Sequence, residues 1–340
     1  MRPAWLAAPL AALLLAACSS LPPPPAPAAR AAVPDAALRA QLLQIDPEQV
    51  SDEQVRQVLA KGPTPRILSL HGGIYPVHLV MASFGRFLVG MGYPEDRLRH
   101  PGDGRYSHSP YEDGLQIAGL LAWYYEQDGL MPMMVGHSQG GIQLVKVLYL
   151  LAGQGPAEIA VWNPLTDSAE ARTQIVDPAT GRWRPVVGLR VNYAAVVGSG
   201  GAALLLPNQW QMVGRLQAIP DSVAEFAGYA LEVDLIAWDG PGSQAGYRPL
   251  GTAQVRNVRL PDSSSHVMVA ALEPLATDPA VRAWINAYRP GRPPGPPPQT
   301  EVPLDNLLFA AEVWHGLKKH WVLEAQRALR TEPPLRAAAP

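Results

Sequence analysis

The sequence predicts an α/β fold in which a mostly parallel central sheet is covered by helices on both faces. Three observations carry this expectation. Short apolar runs alternate with helix-length segments along most of the chain, the pattern of repeated strand-helix-strand units. A 340-residue chain that is 48% hydrophobic can bury the core of one large domain. No repeat of solenoid length interrupts the alternation.

The N-terminal end stands apart from that domain. Met1 and Arg2 precede an apolar stretch through Trp5, Leu6, Leu10 and Leu13 to Leu15, closed by small residues. This is the charged start, apolar middle and small-residue exit of a secretory signal over residues 1–17, too short to span a bilayer stably. Its end, Leu15-Ala16-Ala17-Cys18, resembles the lipobox of bacterial lipoproteins. That resemblance implies that Cys18 becomes the lipid-modified first residue of the mature chain. Cys18 is the only cysteine, so no intrachain disulfide can form. Ser19 rather than Asp follows it, which by the same resemblance points to the outer membrane. Residues 18–37, with Pro22-Pro23-Pro24-Pro25 and an Ala-rich run, read as a stiff tether of about 3 Å per residue.

The body of the domain is expected over residues 38–289. Leu38, Leu42, Val50, Val55 and Val58 give a helical pattern to about Lys61, with Ser51-Asp52-Glu53 as a helix start. The first strand is Arg66 to Leu70, delivering His71-Gly72-Gly73. A helix from Val77 to Met91, a loop from Gly92 to Pro110 and a helix from Tyr111 to Gln127 follow. Next come a strand at Met131 to Val135 and a helix from Gln139 to Leu151. Strands are also expected at Glu158 to Trp162, Leu231 to Trp238 and Ala253 to Leu260, and a closing helix at Asp278 to Tyr288. The stretch from Thr166 to Asp221 breaks the rhythm and reads as an insertion, with apolar runs that serve either as a lid or pocket wall or as core strands. Residues 290–303 form a Pro-rich linker. Beyond it, in residues 304–340, Leu304, Leu307, Leu308, Ala311, Trp314, Leu317, Trp321 and Leu329 recur at helical spacing. That apolar face either folds back on the domain or meets a partner or membrane.

The chemistry centres on Gly136-His137-Ser138-Gln139-Gly140-Gly141, which follows a predicted strand and opens a predicted helix. A nucleophilic serine needs such a turn, because strain lifts its hydroxyl out of the sheet while the glycines permit close packing. The helix that follows points its positive dipole end at a developing oxyanion. Here the chain resembles the α/β-hydrolase superfamily, in particular its bacterial lipases and esterases, over about residues 65–288. His71-Gly72-Gly73 is similar to that family's oxyanion loop. The resemblance implies an α/β-hydrolase fold with a mostly parallel central sheet and an insertion after the sixth strand. It also implies an oxyanion hole from the backbone N–H groups of Gln139 and of Gly73 or Ile74.

In that family the triad follows the order Ser, acid, His. Three histidines follow Ser138, namely His266, His315 and His320, and the last two sit on the tail helix. His266, in the polar loop Asp262-Ser263-Ser264-Ser265-His266 after a strand, is the expected base. His137, in the variable position of the turn, and His100 and His108, which precede the serine, do not fit that role. Asp239 is the expected acid, since it follows the strand read as ending at Trp238. Asp167 is the alternative, Asp262 and Asp221 are weaker, and Asp234 would lie inside the strand.

The expected reaction is cleavage of a carboxylic ester through an acyl-enzyme, on a small-molecule or lipid substrate. The same triad could serve an acyltransferase or thioesterase, and a non-catalytic envelope lipoprotein could keep the fold alone. A formal net charge of −2 offers no basic surplus for nucleic acid. No paired-His motif, cysteine cluster or calcium loop implies a metal, no cofactor is expected, and Gly198-Ser199-Gly200-Gly201 lacks the Lys of a phosphate loop.

Overall fold

The structure is a computed structural model that describes residues 34–74, 77–231, 234, 236–237, 246–261 and 265–331. The expected signal segment, Cys18 and most of the expected tether lie outside the described residues, as do Asp239 and Asp262.

Five strands build the central sheet: β1 (Ile67–Leu70), β2 (Met133–His137), β3 (Val191–Val197), β4 (Val223–Leu231) and β5 (Gln254–Leu260). They lie side by side in chain order and every pairing is parallel. The period-2 alternation of a strand divides their side chains between two faces. Met133, Val135, Ala195 and Tyr229 enter one apolar core, while Met134, Ala194, Val196 and Phe226 enter the other. With both faces covered, the inner strands read as continuous apolar runs and not as alternating ones.

The second core lies under α4 (Gly114–Asp128) and α5 (Gln139–Leu151). The first lies under α3 (Val77–Gly90), α6 (Pro279–Ala287) and the tail helix α7 (Leu304–Thr331). Helix α6 is capped by Asp278, whose side chain accepts from the backbone of Ala280 and Val281. The helical pattern at the start of the domain is split into α1 (Ala36–Gln44) and α2 (Asp52–Gln57), the latter with a capping box between Ser51 and Gln54.

Helix α7 is part of the main core. Phe309, Trp314, Leu317 and Trp321 are fully buried, the Trp321 ring lies 4.5 Å from that of Tyr93, and Trp314 Nε1 donates to Asn286 Oδ1. Gln326 donates to the carbonyls of Leu42 and Ile45, which ties α1 to the tail. Its charged side chains are paired inward: Glu312 binds Arg256 and accepts from Tyr288, and Lys318 donates to the carbonyls of Val50 and Asn286. The apolar face is thus covered by the sheet and by the N-terminal helices. Among the described residues no helix is long and apolar enough to cross a membrane.

Three strand expectations need correction. The run Glu158 to Trp162 contributes no central strand: only Trp162–Asn163 pairs, antiparallel, with Ser168–Ala169. Its apolar residues pack instead on α4, where Gly119 lets the carbonyl of Ala160 come so close that a Cβ would stand 2.2 Å from it. Secondly, the stretch from Thr166 to Asp221 is no single insertion after a sixth strand. It contains β3, the middle strand of five, so that only the segments before and after β3 depart from the sheet. Thirdly, the strand read at Leu231 to Trp238 lies upstream, at β4. Ala224, Ala227, Gly228 and Ala230 dilute the β-branched signal there; of the run expected as strand, Asp234, Ile236 and Ala237 stand outside any strand, and Glu232, Val233, Leu235 and Trp238 lie outside the described residues.

Candidate active site

Every residue of the site stands at or just beyond the C-terminal end of a strand. Ser138 follows β2 directly, with φ 54° and ψ −127°, a backbone conformation that non-glycine residues avoid. The surroundings enforce it. The Ser138 N–H donates to the carbonyl of Val197 on β3, and α5 begins at the next residue. A Cβ on Gly136 would stand 2.6 Å from the Cα of Gly141, and one on Gly140 would stand 2.4 Å from the carbonyl oxygens of Leu70 and His71. Strand, turn and helix pack too tightly there for side chains, which is why glycines recur around the serine.

The serine hydroxyl donates to His266 Nε2 at 2.8 Å, and His266 Nδ1 donates to Asp234 Oδ2 at 2.7 Å. Both lie within ordinary hydrogen-bond range. His266 and the Asp234 carboxylate are buried. The other oxygen, Asp234 Oδ1, accepts from the backbone of Ile236 and Ala237 at 3.0 and 2.8 Å. Burial pushes the Asp234 carboxyl up, but the hydrogen bonds from His266, Ala237 and Ile236 outweigh it and hold the group below its ordinary value. Gly198, with φ +59°, closes the back of the pair. A Cβ there would stand 3.1 Å from the His266 ring and 3.4 Å from Asp234 Oδ2.

The His71-Gly72-Gly73 turn is drawn over the serine: a Cβ on Gly72 would stand 3.0 Å from Ser138 Cβ. Gly73 lies against the Gln139 side chain, and its carbonyl accepts from the Tyr111 hydroxyl at 3.3 Å. The first N–H groups of α5, beginning with Gln139, have no partner within the helix. Around this mouth Ile74, Tyr111, Leu205 and Trp210 are exposed, the last two by 73% and 61%. The 205–210 segment is joined to the site by Asn208, which accepts from Gln139 Nε2 at 3.5 Å and donates to the carbonyl of Pro110 at 3.2 Å. Met212 and Leu216, in the same excursion, are core residues.

Ser138 and His266 are brought together, and Gln139 and Gly73 flank them. The carboxylate on His266 is Asp234, which sequence reasoning set aside as a strand residue. Because β4 ends at Leu231, Asp234 falls beyond the strand, where its carboxylate can turn to the imidazole. Asp167 does not reach it: this residue accepts from Trp162 Nε1 in an exposed turn, with φ 48°. Asp221 instead holds the backbone of Thr252 and Ala253. His315 and His320 are packed on α7 against Glu48 and Glu225, and His108 is paired to Glu112. Burial pushes Glu112 up, but that His108 hydrogen bond and its neighbours bring it down to about 2. Among the described residues no group of three or more His, Cys, Asp or Glu side chains could hold a metal ion.

No protein-family model matches the chain, and no curated protein matches it in sequence.

Proposed function

We propose that this chain is a serine hydrolase of the α/β-hydrolase fold that cleaves carboxylic esters through Ser138, His266 and Asp234. The observation that carries the reading is the Ser138 geometry. A non-glycine residue at positive φ costs on the order of 1–3 kcal/mol, and here that strain presents a hydroxyl to an imidazole 2.8 Å away. The imidazole is in turn oriented by a buried carboxylate, the arrangement that general-base activation of a serine requires.

In the proposed reaction His266 Nε2 takes the hydroxyl proton as Ser138 Oγ attacks the ester carbonyl. Asp234 keeps Nδ1 protonated and stabilises the imidazolium. The tetrahedral oxyanion sits before the backbone N–H groups of Gln139 and of Gly73 or Ile74, each donor contributing about 3 kcal/mol. His266 then gives its proton to the leaving alcohol, and water, deprotonated by the same imidazole, releases the acid. The exposed apolar side chains at the mouth, Leu205 and Trp210 foremost, suit an acyl chain. Turnover of p-nitrophenyl esters tests the reading: Ser138→Ala should abolish it with the fold intact, and residual activity within tenfold of wild type would remove Ser138 from the mechanism.

We further propose that the enzyme is exported and held at the outer membrane through Cys18. The signal segment, the lipobox-like Leu15-Ala16-Ala17-Cys18 and the proline tether support this. Cys18→Ser should release the protein from the membrane fraction and end palmitate labelling. Labelling that survives the change would refute the anchor.

A further inference from the structure

One polar side chain at the site has no part in the reaction as drawn. His137 ends β2 and is 0% exposed, on the strand face that otherwise carries Met133 and Val135 into the first apolar core. By that pattern an apolar side chain belongs at residue 137. Its Nε2 lies 2.8 Å from the main-chain carbonyl oxygen of His266, and the two rings stand 5.3 Å apart, inclined by 40°.

A carbonyl oxygen only accepts, so His137 Nε2 carries the proton and Nδ1 keeps its lone pair. Nδ1 is buried with no hydrogen-bond partner among the described residues. A second proton there would have no acceptor among the described residues. Burial, with a further contribution from His266, lowers the His137 imidazole to about 4, while the His266 carbonyl and Asp234 oppose the shift and His71 adds to it. The ring therefore remains a neutral donor of fixed tautomer throughout the neutral range.

We propose that His137 is a positioning residue that clamps the main chain of His266 to the strand carrying the nucleophile, an inference that rests on the triad reading above. His266 stands six residues beyond β5, and its ring must meet Ser138 and Asp234 at once. Tying its carbonyl to the residue adjacent to Ser138 makes one strand end the reference for both reacting groups. A displacement of the imidazole by a fraction of an ångström is enough to cost rate, because proton transfer requires near-ideal alignment.

The test compares His137→Leu, which fills the space without a donor, with His137→Gln, whose amide N–H can reach the same carbonyl. The full chain is used, with thermal unfolding as the control for folding. His137→Leu should lower kcat about tenfold to a hundredfold at nearly unchanged KM. His137→Gln should recover most of the loss, and the far-downfield proton resonance of His266 Nδ1–H should broaden in the Leu variant and return in the Gln variant. Wild-type kcat in a folded His137→Leu protein, or equal losses in both variants, would overturn the clamp. Should His137→Leu fail to fold, nitrogen NMR of the wild type decides. The clamp requires His137 protonated at Nε2, and an Nδ1–H tautomer would refute it. A wild-type protein that turns over no ester contradicts the hydrolase reading, whereas the resonances still report on the clamp.

Discussion

Two strand ends deliver groups to the same imidazole by opposite means. At the end of β2 the serine is placed by strain and packing, with a positive φ, close glycines and the start of a helix all within six residues. At the end of β4 the carboxylate is placed by position alone. Asp234 lies past the last paired residue and needs only two backbone N–H groups and the imidazole to fix it. A nucleophile must be exposed and forced out of its strand, which takes a dense local motif. An orienting acid needs only to be near and desolvated, which many loop sequences can provide.

The comparison breaks most sharply at the acid. Asp234→Asn should lower kcat by about 10⁴, because an amide opposite Nδ1 favours the wrong imidazole tautomer. Asp167→Asn and Asp239→Asn should leave kcat within about twofold of wild type, since Asp234 already occupies His266 Nδ1. The reverse pattern would move the acid. The same variant has a pH signature in stability. The Asp234 carboxyl is held below its ordinary value of 3.8, so its contribution is complete above that value and is lost as the pH falls through the lower folded one. Urea unfolding of Asp234→Asn should therefore show less loss of stability on the acid side than wild type.

A smaller effect sharpens the contrast between mouth and core. Leu205 and Trp210 are exposed on the segment that Asn208 joins to Gln139, whereas Met212 is buried. Changing Leu205 and Trp210 to Ser should depress kcat/KM for long-chain esters well beyond acetate esters, at about 0.8 kcal/mol for each methylene no longer covered. Equal losses on both substrates would mean that these residues do not meet the acyl chain.

The sequence was legible where structure is local and obscure where it depends on distant packing. Helix α5 runs from Gln139 to Leu151 as its pattern indicates, and α3 and α4 lie within a few residues of expectation. These segments carry their own apolar periodicity, and α4 has a cap in Asp113. Strand β4 does not: Gly228 in its middle lies so close to Tyr247, from a later segment, that a Cβ there would meet the ring at 2.2 Å. Such a contact leaves no local trace, and the misplaced strand then carried Asp234 into it and made Asp239 look like the loop acid. The clamp at His137 was hidden for the same reason, since its partner lies 129 residues away. For helix α7 the apolar spacing allows either folding back or an outside partner; the helix folds back, and Trp314 and Trp321 are buried in one core with Leu42 and Ile45 of the N-terminal segment.

The most direct measurement of the central claim is the mass of the protein after reaction with a fluorophosphonate, followed by peptide mapping. One adduct is expected, on the peptide containing Ser138, formed rapidly in wild type and far more slowly in His266→Ala and Asp234→Asn. An unmodified protein, an adduct on another residue, or labelling indifferent to His266 and Asp234 would contradict it.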